Sequence, residues 1–237
     1  MLLAGFEMSC PAQSAKTGGQ ADVPSLISKL EDKDQRIVLG AAQALADAGP
    51  QVVPVLIDAL REKKGCQIQW VASGVIHRLN PRHEIVNSTL IDIIKGRCKA
   101  KTPGDLIIRR QAAFALVAKP EGVPIVAEML RDKDTFIRRS AAFAFDELTE
   151  RLQGRPPAIP ATPEIINATK AALPPLVEAL NDKDEVVRCM SYEALEQIRG
   201  SKHEVLHSEA NRLMQGLKVQ CPKGRASQDA VNGQRLR

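Results

Sequence analysis

The sequence predicts an all-α fold, a right-handed α-solenoid of about five helical hairpins closed by a C-terminal capping helix. Three observations lead there. The 237 residues are 44% hydrophobic but only 3% aromatic; their apolar content is mostly Ala, Leu, Ile and Val, which suits packed helices better than a β-sandwich. One nine-residue apolar pattern recurs five times without gaps. A second, proline-led pattern precedes four of those copies.

The recurring segments are IVLGAAQAL (37–45), IQWVASGVI (68–76), IRRQAAFAL (108–116), IRRSAAFAF (137–145) and VRCMSYEAL (187–195). Counting the first residue as zero, positions 0, +4, +7 and +8 are small or apolar throughout, from Ile37, Ala41, Ala44 and Leu45 to Val187, Ser191, Ala194 and Leu195. That spacing forms one stripe on a helix of 3.6 residues per turn. Upstream lie VPSLISKL (23–30), VPVLIDAL (53–60), VPIVAEML (123–130) and LPPLVEAL (173–180). Proline fits there because the first helical turn has no intrahelical partner for its N–H groups. Between the two helices, Asp34, Asp105, Asp134 and Asp184 each sit three residues before the stripe, with Gly65 in the second copy. An Asp at that place caps the second helix.

A proline-led first helix, Asp in the turn, then Val/Ile-Arg-x-x-Ala-Ala-x-Ala-Leu resembles HEAT repeats of the short, phycobilisome-lyase-like type. The resemblance covers roughly residues 21–200. It implies that the Arg after the first stripe residue bonds the turn Asp of a neighbouring repeat. That Arg is present as Arg109, Arg138 and Arg188 but replaced by Val38 and Gln69, so the ladder is expected to break at the N-terminal end. Tetrapyrrole attachment, a property of only some relatives, is demanded by no residue here, and no cofactor is expected. The His-Glu pairs His83-Glu84 and His203-Glu204 lie off the stripe helices, so a di-iron hydroxylase is not implied.

The expected organisation is an N-terminal extension (1–20), repeats at about 21–49, 50–80, 81–120, 121–151 and 163–200, a capping helix (201–217) and a flexible basic tail (218–237). Leu206, Ala210, Leu213 and Leu217 would form the apolar face of the cap. Insertions fall at 95–104 and about 152–164, where Thr162-Pro163-Glu164 can begin an extra helix. The net charge of +5 is local: residues 95–110 and 212–237 each carry six cations against one anion, so the body is not basic. No stretch reaches the roughly 20 apolar residues that cross a bilayer. The N-terminus has no basic n-region, and Glu7 interrupts its apolar run. Five cysteines without a CxxC spacing argue against a disulfide framework and for a reducing, cytoplasmic setting.

His203-Glu204-Val205-Leu206-His207 matches the zinc-protease pattern His-Glu-x-x-His. It sits on the capping helix without a third ligand from a separate element, so His203 and His207 are read as an exposed pair and no metal is expected. Positions +2 and +6 point away from the stripe, onto the face that lines the concave surface of HEAT folds. There the sequence puts Leu39, Trp70, Arg110, Phe114, Arg139 and Phe143. Aromatic and Arg side chains are the commonest interaction anchors. These six are therefore the expected partner-binding residues of a non-enzymatic scaffold or adaptor, its partner a protein or peptide with acidic groups for the arginines. The alternative is a nucleic-acid-binding or base-processing protein that joins the Arg ridge to the basic loop of Lys95, Arg97, Lys99 and Lys101.

Overall fold

The structure, a computed structural model, describes residues 22–62, 65–80, 84–97, 104–156, 158–217, 219 and 221. Among these residues the chain forms twelve α-helices, one 3-10 turn (Pro50–Val52) and no strand. It divides into two compact units, Met1–Ile108 and Arg109–Arg237. The expected extension (1–20) lies outside the described residues.

The first unit holds α1 (Val23–Lys29), α2 (Gln35–Ala48), α3 (Val53–Arg61), α4 (Cys66–Leu79) and α5 (Glu84–Ile94). Proline stands in the first turn of α1 and of α3, where it removes no helical hydrogen bond. Helices α1 and α2 pair, as do α3 and α4, and α4 also packs on α2 and α5. Leu30, Leu45, Leu56, Ile68, Ile76 and Ile93 are fully buried. One stripe position departs from the pattern: Ile37 is 42% exposed. With no hairpin before it among the described residues, α2 buries Val38, Ala41 and Leu45 instead.

Helix α6 (Gly104–Val117) runs across the division. The second unit continues with α7 (Val123–Met129), α8 (Thr135–Leu152), α9 (Pro163–Ala171), α10 (Leu173–Ala179), α11 (Glu185–Arg199) and α12 (Glu204–Met214). Gly122 leads into α7, and a Cβ there would collide with the Leu116 carbonyl; only glycine lets the two helices come this close. Thr162 caps α9 by accepting from the Ile165 N–H, so the second insertion does begin a helix. Pro174 and Pro175 cannot donate to the carbonyls four residues back, and α10 restarts after a break at Ala172. Helices α8 and α11 make the most extensive helix pair.

Helix α12 packs on α9, α10 and α11, burying Leu206, Ala210 and Met214. The expected face is thus corrected at its end. The helix stops at Met214, Gly216 follows with φ of 77°, and Leu217 is carried out to solvent.

The turns repeat one construction. In each Asp-Lys-Asp, the first carboxylate accepts the N–H of the second Asp: Asp32 from Asp34, Asp132 from Asp134, Asp182 from Asp184. The second carboxylate then caps the next helix through Arg36, Phe136 or Val187. Asp105 lies within α6, and its side chain is outside the described residues. Among the described residues the expected ladder forms once: Arg138 Nε and Nη2 bond Asp182 at 2.7 and 3.1 Å, while its Nη1 donates to the carbonyls of Asp132 and Lys133. Arg188 repeats the contact with its own turn, at the Asp182 carbonyl. In the first unit, Gln67 takes over by donating to the Leu30 and Asp32 carbonyls, and the Gly65 N–H reaches Glu31.

Candidate binding ridge

Positions +2 and +6 of α6 and α8 bring four of the expected residues together. Arg110, Phe114, Arg139 and Phe143 are all half-buried. The Arg110 guanidinium lies 5.4 Å from the centre of the Phe143 ring. Arg151, one helical turn past Glu147, lies 5.1 Å over Phe114. Arg139 lies 6.0 Å from the Phe136 ring. Guanidinium groups over ring faces are held by the ring quadrupole. The result is a strip of three cation–ring pairs along α6 and α8.

Two cations of this strip pair with internal carboxylates. Arg139 makes a bidentate pair with Asp184, at 2.9 and 2.6 Å, across the α8–α11 contact. Since Asp184 also caps α11, one carboxylate serves the helix and the ridge together. Arg151 pairs with Glu147 at 3.1 Å. Arg110 is held below the ordinary arginine range, first by burial and then by the charge of Arg139. The two arginines expected to stand side by side therefore do interact, and Arg139 is already neutralised by an internal carboxylate.

Beyond the strip, Asp146 on α8 is buried and its pKa is pushed up to about 7, chiefly by burial, then by Glu193 and Glu147. The Glu193 carboxyl on α11 is raised by burial as well. A relay fixes the pair of helices: Gln197 donates to Asp146 at 3.0 Å and accepts from Thr149 at 2.6 Å. Gln197 lies about fifty residues from Asp146 and Thr149, and no local pattern marks Arg151, Asp146 or Gln197 as members of the ridge.

The other expected residues belong to the first unit, where one correction is needed. Trp70 was expected on an open surface but is 7% exposed, because α4 is flanked by α2, α3 and α5 and buries residues around most of its circumference. Leu39 is half-buried. In the basic loop, Lys95 and Arg97 are exposed, Arg97 is paired with Asp92 at 2.9 Å, and Lys99 and Lys101 lie outside the described residues.

The His-Glu-x-x-His segment holds structural contacts. His207 Nδ1 sits 2.6 Å from the Arg199 carbonyl, and its Nε2 sits 3.0 Å from Asn211 Nδ2. With Nδ1–H donating to the Arg199 carbonyl, the ring ties α12 to the end of α11, and Nε2 accepts from Asn211 within α12. His203 is the residue before the helix, and Glu204 accepts from Ser208.

The reading of the cysteines is overturned. Cys189 and Cys221 form a disulfide with Cα atoms 5.4 Å apart, and Cys66 is disulfide-bonded too. The pairing joins residues separated by a whole helix, a relation that short cysteine spacings do not reveal. It also fixes a point in the tail that was expected to be free.

One family model coincides with two hairpins of the second unit. The HEAT repeat family model matches residues 123–152 and 172–198, the hairpins α7–α8 and α10–α11. No curated protein matches the chain. Among solved structures, the designed armadillo repeat protein YIII(Dq.V1)4CPAF in complex with peptide (KR)4 is 18% identical, with 90% of this chain and 99% of that one covered and a TM-score of 0.39. The described part of the chain is all-α, and its segments 123–152 and 172–198 match the HEAT repeat model.

Proposed function

We propose that the protein is a non-enzymatic scaffold or adaptor that binds a protein or peptide segment along the ridge of α6 and α8, with repeats of the short, phycobilisome-lyase-like type. The observation that carries this reading is the pair of cation–ring contacts on the ridge, Arg110 over Phe143 at 5.4 Å and the buried Arg151 over Phe114 at 5.1 Å, with Arg110, Phe114 and Phe143 half-buried. Such a strip offers flat apolar area together with donors for acidic or carbonyl groups. Leu39 stays a candidate contact, whereas Trp70 becomes a core residue. Arg139 and Arg151 already carry internal carboxylate partners. A cytoplasmic setting is kept in this reading. It makes the Cys189–Cys221 pair a variable, since cytosolic thiols reduce disulfides.

The test is capture from the native host with the wild type, Phe114→Ala, Arg110→Glu and a remote control, Arg36→Glu. Partners lost with both ridge variants and kept by the control support the ridge. Unchanged capture by both ridge variants contradicts it. A steep loss of affinity with salt, together with nucleic acid in the captured material, would favour the alternative reading.

A further inference from the structure

Helices α8 and α11 run side by side in the same direction, and different chemistry holds the two halves of their contact. Near the N-terminal ends the ties are ionic, Arg138 to Asp182 at 2.7 Å and Arg139 to Asp184 at 2.6 Å. Toward the C-terminal ends a neutral amide joins them. Gln197 Nε2 donates to Asp146, Gln197 Oε1 accepts from Thr149, and the Gln197 carbonyl accepts from Gln153. This half also sets carboxyl groups against each other. Asp146 is 7% exposed and meets the charge of the half-buried Glu193 across the contact and of Glu147 on its own helix. The cation that opposes them is Arg155, which is ion-paired with Glu147 and Glu150.

Charges on the neighbouring helices are engaged elsewhere. Glu128 of α7 and Glu178 of α10 both accept from Arg131. On α12, Glu209 accepts from Arg212, Glu204 from Ser208, and His207 is bonded to the Arg199 carbonyl. On α11 itself Glu196 accepts from Arg199. From α6, Arg110 stands over the Phe143 ring, one turn before Asp146.

We propose that the α8–α11 contact is a one-ended, pH-sensitive hinge. With Asp146 protonated, the C-terminal halves close around Gln197; as Asp146 ionises they part, while Arg138 and Arg139 keep the N-terminal ends together. Ionised, Asp146 and Glu193 place two like charges in a contact from which water is largely excluded, and separation lets both be hydrated. Burial, then Glu193 and Glu147, push Asp146 up to about 7. Burial raises Glu193 as well. A closed contact therefore keeps a proton that an opened, hydrated Asp146 gives up near its ordinary 3.8. Opening is favoured as pH rises between those values and levels off above them. The ionic end does not follow, because Asp184 is lowered: burial pushes it up, but the bonds from Arg139 and from the Val187 N–H outweigh that. The hinge needs no partner to operate, and its failure would leave the proposed function untouched.

Hydrogen exchange of the full chain at pH 5 and pH 7.5, corrected for the intrinsic rise of exchange with pH, reads the opening. Exchange over residues 146–153 and 193–199 should speed up by about tenfold or more, while 136–142 and α7 change by less than about twofold. Asp146→Asn should abolish that response. Glu193→Gln should lower the midpoint at which the Asp146 carboxyl titrates, followed by carbon-13 NMR. Should Asp146→Asn fold poorly, the wild type and Glu193→Gln carry the test. An equal response throughout the second unit would mean that the unit opens as a whole, and the hinge would be overturned. So would an absent response in the wild type, one that persists in Asp146→Asn, or an Asp146 midpoint that Glu193→Gln leaves in place.

Discussion

Arg138 is the most constrained charged residue of the second unit. Its side chain is 6% exposed and pairs with Asp182, 11% exposed, through two hydrogen bonds. Removing one member of such a pair leaves the other charge buried without compensation. Arg138→Ala should therefore cost about 3–5 kcal/mol of stability, measured by urea unfolding. Arg138→Lys should recover only part of that, because one ammonium cannot reproduce the planar two-point contact. Trp70 belongs to the same class of structural residue. Trp70→Ala should cost about 3–5 kcal/mol through a cavity beside α2, α3 and α5, so reduced partner capture by this variant would report unfolding rather than a lost contact. Sequence reasoning placed Arg138 correctly because its role repeats with the turn Asp. It misplaced Trp70 because a helical wheel shows which way a side chain points, not how many helices surround it.

At the scale of elements, the α8–α11 pair carries the pH response. Asp146 holds its proton in the folded state up to about pH 7, whereas its ordinary value is 3.8. Between those values the folded chain binds more protons than the unfolded one, so stability falls as pH rises through this window and levels off above it. Each pKa unit corresponds to about 1.4 kcal/mol, and burial makes the effect measurable. Glu193, raised by burial, acts in the same direction. Asp146→Asn, whose amide oxygen can still accept from Gln197, should flatten the slope and raise the melting temperature at pH 8 more than at pH 4. A slope unchanged by this substitution would mean that other groups set the response. The hairpin α6–α7 depends on Gly122 in a different way. Gly122→Ala should cost about 1–3 kcal/mol through overpacking against the Leu116 carbonyl. Stripe, proline-led starts, the caps at Asp34, Asp134 and Asp184 and the extra helix at Thr162 were legible in sequence, since each rests on contacts within one turn or one hairpin. The relay of Asp146, Gln197 and Thr149 was not, because its members come from helices about fifty residues apart.

At the scale of the molecule, the C-terminus combines a packed helix with a covalent tie. Helix α12 covers α9, α10 and α11, and without it their apolar contact surface would face water. Deleting 203–237 should cause self-association, read by size-exclusion chromatography. Deleting 219–237 was a neutral change so long as the tail had no anchor. The Cys189–Cys221 bond alters that expectation: the shorter deletion should stay monomeric but unfold at lower temperature under oxidising conditions, because the loop constraint is lost. The repeat number and the cap follow from periodicity, whereas the disulfide follows only from the three-dimensional path of the chain after Gly216.

The central claim is that the ridge on α6 and α8 is where a protein partner sits. Hydrogen exchange of the full chain, alone and saturated with a partner recovered by capture, tests it most directly. Protection should concentrate in residues 109–118 and 136–150 and should disappear with Arg110→Glu. Protection confined to α7 and α10, or to the first unit, would contradict the claim.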